Sequence, residues 1–197
     1  MYKADGGRVV ANGLRNTTIL LTLLLFSGGL PQSAHASRPT ALPATEQLLA
    51  DAAYYPALLG KIRAAEKSID MVMYLWKMAG DGGGKPAELA KALGEARKRG
   101  VAVRVILENS GYDDNLNRAN RETAELLQRE GISPFFDSPA VTTHTKLAVI
   151  DRRFCFVGSH NLTQSALERN HEISLLLDSP PLAGELSNYV EILLKSR

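Results

Sequence analysis

Two apolar, strand-like runs bracket one helix-length segment in the first half of the chain, and that spacing limits the fold more than any other feature. Ile69-Asp-Met-Val-Met-Tyr-Leu-Trp76 is nearly unbroken in apolar character, as expected of a strand covered on both faces. Pro86 suits the first turn of a helix running to about Arg99, and Gly100 supplies its stop. Val101-Ala-Val-Arg-Val-Ile-Leu107 follows at once, apolar and β-branched. Strand, helix and strand in this order make a βαβ unit, which implies a parallel pair with a right-handed crossover. The Gly80-Asp-Gly-Gly-Gly84 loop inside the unit lacks both a following Lys-Ser or Lys-Thr and a G-x-G-x-x-G pattern, so it reads as a surface turn and not a nucleotide cradle.

The remaining elements follow the same logic. Leu58, Leu59, Ile62 and Ala65 recur at helical spacing, giving a helix that ends around Lys67. A second helix after the βαβ unit spans roughly Leu116 to Glu130, stopped by Gly131, and Ile132 to Phe136 is a short strand. Three further strands are expected at Lys146–Ile150, Phe154–Val157 and Glu172–Leu177, with a last helix from about Leu182 to Lys195. Together these predict an α/β fold with a mixed central β-sheet flanked by helices on both faces. No internal repeat or low-complexity stretch interrupts it.

A chain of 197 residues holds one such domain with a real core. Residues 1–36 read as a leader: Lys3, Arg8 and Arg15, an apolar run from Ile19 to Phe26, then Ala34-His35-Ala36 as a small-x-small cleavage signal. Gly28, Gly29 and Pro31 break the apolar run, whose core is shorter than the roughly 20 residues that span a bilayer. A cleaved export signal is therefore expected over a retained anchor, with a linker at 37–44 and the domain at 45–197, placing the protein in the periplasm or outside the cell. The chain has 23 basic and 21 acidic residues, and its small excess of positive charge belongs to the leader. Any cationic patch on the domain must then be local. The one cysteine, Cys155, sits in the apolar run Phe154-Cys155-Phe156-Val157 and is expected as a small core residue, not a nucleophile.

Chemistry concentrates between residues 144 and 172. If a strand starts near His144, alternation puts His144 and Lys146 on one face, toward the same ligand, and gives Asp151 the opposite parity and a supporting role. Ser159 and Asn161 are also two apart, and Gly158 before them allows a tight turn. Glu172 opens another apolar run, where a carboxylate needs a partner. This set suits phosphodiester cleavage. A neutral imidazole can attack phosphorus, splitting one displacement into two. Lys146 and Asn161 can donate to the non-bridging oxygens, and Glu172 can fix the imidazole tautomer through its other nitrogen. No metal or other cofactor is needed, and no His, Cys and carboxylate cluster has metal-ligand spacing. His160 and His171 adjoin these residues and are expected beside the site or at the surface.

The pattern His144-x-Lys146-x4-Asp151-x6-Gly158-Ser159-x-Asn161 resembles the HKD motif of the phospholipase D superfamily, departing from the commoner Gly-Gly only at Ser159. The stretches Ser68–Tyr74 and Ala96–Val105 resemble units that precede the motif in that family. The resemblance implies a metal-free double displacement through a phosphohistidine. His144 would be the nucleophile, His144 of a second chain the general acid, Lys146 and Asn161 the phosphate ligands, Ser159 a nearby donor, Glu172 the orienting carboxylate and Asp151 structural. A single copy of the motif is similar to small secreted bacterial endonucleases that dimerise about a twofold axis to share one site. The expected substrate is DNA, or RNA, tracked by Arg152, Arg153 and Arg169 near the motif. The alternatives are a phospholipid hydrolase or phosphatidyl transferase at a membrane, and an inactive nucleic-acid-binding module.

Overall fold

A computed structural model describes residues 45–80 and 83–196, so the leader and linker expected at 1–44 lie outside the described residues. The chain begins with strand β1 (Thr45–Ala50), a 3-10 turn (Asp51–Ala53) and helix α1 (Tyr54–Ala64). Strand β2 (Ser68–Met73) and the two-residue β3 (Trp76–Lys77) lead to α2 (Gly84–Lys98), β4 (Ala102–Leu107) and α3 (Asp114–Arg129). Then come β5 (Phe135–Phe136), β6 (Lys146–Ile150), β7 (Phe154–Gly158), β8 (Leu162–Thr163), β9 (Ile173–Asp178) and α4 (Pro180–Lys195).

Seven strands form one mixed sheet in the order β1-β9-β7-β6-β2-β4-β5. The β2–β4 pair is parallel, as the βαβ spacing requires, while β6 runs antiparallel to both β2 and β7. Alternation along each strand divides the core. Ile69, Met71, Met73, Ala148, Ile150 and Phe156 pack with apolar residues of α1, α2 and α3. Val72, Ile106, Leu147, Val149 and Cys155 point the other way, onto Ala183 and Val190 of α4. Helices thus cover both faces, and β2 is largely apolar because neither face meets water. Its one carboxylate, Asp70, is 3% exposed and is neutralised by Arg104, which donates to it at 2.7 and 2.9 Å. Cys155 is fully buried, and burial pushes its thiol up to about 11, which fits the inert core residue expected.

Several boundaries differ from the sequence reading. The strand β1 was not expected; Thr-Glu-Gln-Leu-Leu-Ala carries no alternating pattern and becomes extended through its six-residue antiparallel register with β9. The run through Trp76 splits after Met73 because Asn120 of α3 accepts the Trp76 N–H at 2.9 Å, diverting the chain to pair with β8 in a separate two-stranded sheet. Helix α1 stops at Ala64, short of Lys67, and the strand expected over 132–136 shortens to Phe135–Phe136. Glu172 precedes β9 instead of opening it.

Candidate active site

The end of the sheet where parallel β2 and β4 finish is also where β6 begins and β7 ends. Crevices at the carboxyl ends of parallel strands are the usual ligand sites of open α/β sheets. Here Tyr74, directly after β2, gathers the candidate residues. Its backbone N–H donates to Thr145 O at 2.9 Å, fixing the 144–146 segment to the end of β2. The His144 ring meets the Tyr74 ring edge-on at 4.4 Å, and Lys146 Nζ lies 4.6 Å from the same ring. His144 and Lys146 therefore share a neighbour, as their parity predicts. The sequence reading did not single out Tyr74 as a site residue, because inside an apolar run it is indistinguishable from core.

Burial separates the two groups. Lys146 is 7% exposed, and its ammonium donates to His144 O at 2.8 Å. Desolvation lowers the Lys146 pKa, partly offset by the Glu172 carboxylate, which places Glu172 within electrostatic reach of the site. His144 is exposed, and its ring nitrogens make no hydrogen bond among the described residues. Partial burial, then the Lys146 charge, holds the imidazole below its usual pKa. At neutral pH it is mainly the neutral base that a nucleophile requires.

The second half of the motif is set by His160. That ring is fully buried, stacked on Tyr54 at 4.2 Å with an 8° interplanar angle. Its Nδ1 lies 2.7 Å from Ser174 Oγ and its Nε2 2.9 Å from Asp51 O. Since neighbouring residues of an extended segment point to opposite sides, a histidine locked inward holds Ser159 and Asn161 outward. This overturns the surface alternative for His160 and leaves it behind the site, as a core anchor. His171 is fully exposed and faces Asp51 at 3.4 Å. Gly158 is required by close packing: a Cβ there would overlap Ser174 Oγ and the backbone of Ile173 and Ser174.

Asn161 is tied to the Tyr74 corner because the next residue, Leu162, donates its N–H to Leu75 O at 3.0 Å. Its Oδ1 is buried without a hydrogen-bond partner among the described residues, so only the Nδ2 protons remain to offer a ligand. An unpaired buried carbonyl costs about 1–3 kcal/mol, a penalty characteristic of sites organised for something else. Ser159 Oγ donates to Glu172, whose carboxylate also receives Asn170 Nδ2 at 3.1 Å. The expected hydrogen bond from the imidazole to Glu172 is not formed; Glu172 instead joins Ser159 to the electrostatic field of Lys146.

Asp151 lies at the far end of β6, roughly 16 Å of strand away from Lys146. Its carboxylate accepts the N–H groups of Glu66, Lys67 and Ser68 at 2.7–3.2 Å. Burial opposes ionisation, but these amides outweigh it and hold the carboxyl below its usual pKa. Arg152 and Arg153 share this turn. Arg153 is committed to Asp178 through two contacts of 2.7 Å. The sequence reading put Arg152 and Arg153 near the motif for backbone tracking. The hairpin is straight, so adjacency to Asp151 carries them to the opposite end from His144.

Among the described residues no group of three or more His, Cys, Asp or Glu side chains is arranged to hold a metal ion. Residues 58–194 match the sequence profile of the family described as cardiolipin synthase, PLD-like domain. The chain belongs to the phospholipase D superfamily, as its motif implied. A phospholipase D of Rickettsia felis is 31% identical over 126 residues, covering 64% of this chain and 56% of that protein. Cardiolipin synthase A of Buchnera aphidicola is 28% identical over 130 residues, covering 61% of this chain and 26% of its own. The chain thus spans about half of the first relative and a quarter of the second. Among solved structures, the phospholipase D family member Nuc from Salmonella typhimurium superposes with a TM-score of 0.66 at 24% identity, covering 78% of this chain and 96% of Nuc. NucT from Helicobacter pylori gives 0.59 at 18% identity, over 78% and 98%. These two establish the fold, and membership makes the chain part of a phosphodiesterase superfamily.

Proposed function

We propose that this phospholipase D-like chain is a metal-independent phosphodiesterase working through a phosphohistidine, that its substrate is nucleic acid, and that two copies build one site. The observation that carries the reading is the convergence of His144 and Lys146 on Tyr74, with the Asn161 amide tethered beside them. An imidazole nitrogen of His144 forms the N–P bond while the P–O bond to the leaving group breaks. Lys146 and the Asn161 Nδ2 protons take up charge on the non-bridging oxygens. Water then attacks phosphorus, giving its proton to the group that had protonated the leaving oxygen, and the N–P bond to His144 breaks.

The leaving oxygen needs a proton, and among the described residues the site offers no second imidazole: His160 is sealed in the core and His171 faces Asp51. His144 of the partner subunit fills that role if two sites abut. A surface suited to such a contact adjoins the site. Leu48, Leu175 and Val157 stand directly opposite one another on β1, β9 and β7, on the part of the sheet that α4 leaves bare, with Ile173 beside them. They are 62%, 39%, 42% and 61% exposed respectively. Val157 leads into Gly158-Ser159 and Ile173 follows Glu172, so this face borders the Ser159–Glu172 edge of the site, while Lys146, opposite Met73, points to the other face of the sheet; a twofold contact here pairs the two sites edge to edge. Substituting Leu48 and Leu175 by Glu is expected to give monomers in analytical ultracentrifugation with loss of turnover; full activity as a monomer refutes the shared site.

Phospholipid is the second reading, favoured by the name of the family profile and of the Rickettsia relative. Incubation with plasmid DNA, RNA and phosphatidylcholine in excess EDTA separates the two. Cleavage of DNA or RNA that persists with chelator is expected. Head-group release without nicking transfers the assignment to lipid, and nicking abolished by EDTA overturns the metal-free route. Export through residues 1–36 completes the proposal; mass spectrometry of the mature N-terminus is expected to show cleavage after Ala36.

A further inference from the structure

The ring that gathers His144 and Lys146 also begins a groove. A hollow of about 300 Å³ beside Tyr74 is lined by Leu75, Lys77, Asp113 and Asn115. It runs into a second of about 430 Å³, lined by Lys77, Asn115, Arg118 and Glu122. Lys77, Asn115 and Ala119 belong to both. Lys77 follows Tyr74 by three residues, so its Cα lies at most about 11 Å along the chain from the ring touching both candidate catalytic groups.

The groove is built to keep its shape. Its β3 wall is clamped to its α3 wall by fully buried Asn120, which accepts the Trp76 N–H and donates to Tyr74 O and Glu108 O, each at 2.9 Å. Thr123 Oγ1 adds a 2.6 Å bond to Trp76 O. With Trp76 fixed inward, alternation turns exposed Lys77 outward.

The charges facing it are arranged for an anion. Lys77 has no ion pair among the described residues, and Arg118 donates only to the neutral Asn115 Oδ1, at 2.9 Å. Asp113 is spent on its own helix, accepting the Asn115 and Leu116 N–H groups at 3.0 Å. Glu122 stands one turn beyond Arg118, away from Tyr74. Tyr112, next in sequence to the lining residue Asp113, is 75% exposed and within electrostatic reach of Tyr74.

We infer that this groove is the track for the single-stranded nucleic-acid segment flanking the scissile phosphate, with Lys77 and Arg118 on successive backbone phosphates and Tyr112 stacked on an unpaired base. The inference rests on the nuclease reading and gives its substrate a strand state. A rigid groove that presents two cations, unpaired among the described residues, beside an exposed aromatic ring suits unpaired strands without regard to sequence. Phosphatidylcholine, with one phosphodiester, has no second phosphate for Arg118.

The test compares two substrates in the purified full chain. Bis(p-nitrophenyl) phosphate carries one diester and cannot extend along the groove; a 12-nucleotide DNA strand can. For Lys77→Ser/Arg118→Ser, selectivity for the oligonucleotide, as the ratio of the two kcat/KM values, is expected to fall at least about tenfold, and the salt dependence of oligonucleotide binding to lose about 1.4 in log–log slope. Tyr112→Ala is expected to weaken single-strand binding by about tenfold while barely changing that of blunt duplex. Turnover of the small diester reports that each variant is folded. If the wild type cleaves DNA yet these ratios and slopes stay put, the track is refuted and the nuclease reading stands. If the wild type hydrolyses phosphatidylcholine and leaves DNA and RNA intact, both fall.

Discussion

The β6–β7 hairpin has two ends, and the motif places residues at both. At the turn end the Asp151 carboxylate collects three amide N–H groups, the Asp151 N–H donates to Ser68 O, and Arg153 grips Asp178. At the open end, among the described residues, the His144 ring makes no hydrogen bond, the Asn161 Oδ1 is unpaired, and the one hydrogen bond of the Lys146 ammonium is to a backbone carbonyl. One motif thus contains two physical problems. The satisfied end stabilises the fold, while the unsatisfied end keeps donors and a base in reserve for a ligand, as polar groups left wanting at a preorganised site do.

The sharpest way to break this contrast is His144→Ala. Removing a nucleophile is expected to cut kcat by about 10⁴-fold or more. The melting temperature should hardly change, because the exposed ring makes no hydrogen bond among the described residues and packs only edge-on against Tyr74; a large thermal shift would erase the distinction between the ends. Lys146→Met comes next, with a loss of about 10²–10³ in kcat, the usual cost of one donor to a developing charge. Since the Lys146 ammonium helps depress the imidazole pKa, the same variant should raise the His144 pKa in an NMR titration.

The turn end predicts the reverse pattern. Asp151→Ala removes three hydrogen bonds to a charged acceptor and should lower unfolding free energy by roughly 3 kcal/mol, with kcat of the folded fraction kept. Because the folded pKa of Asp151 is depressed, this stabilisation is present above the unfolded value near 3.9 and is lost as pH falls through the folded one. The wild-type advantage in urea melts should therefore shrink only in that acidic window. The smallest effect is at Arg152, which with Asp151 adopts positive φ (51° and 55°) in the turn closed by Arg153 N to Ile150 O. Both central residues of a type I′ hairpin turn need that conformation. Arg152→Gly relieves the strain and should add about 1 kcal/mol of stability with oligonucleotide affinity unchanged; a clear loss of affinity would restore Arg152 to the substrate path.

Much of this was legible in the chain itself. The βαβ unit, the mixed sheet with helices on both faces, buried Cys155 and the shared direction of His144 and Lys146 all follow from local rules: side-chain period, helix stops and strand parity. Those rules act between residues close in sequence, so no tertiary information is needed. The failures share the opposite cause. Strand β1 is extended because β9 pairs with it from more than 120 residues away, and β3 exists because Asn120 captures the Trp76 N–H. Tyr74 looked like core, His160 looked peripheral, and Arg152 looked near the site. Each depends on what lies across a fold that no spacing records.

By itself, then, the sequence determined the architecture and the motif side chains that share a direction, since alternation and spacing fix which side chains can point together. Only the tertiary structure decided how those residues divide their labour. It set the motif's carboxylate a strand's length from its base, sealed the histidine between Ser159 and Asn161 in the core, and opened a groove from Tyr74 along α3. Burial and hydrogen-bond satisfaction belong to the packed whole, and they separate a group that holds the fold from one left free to act.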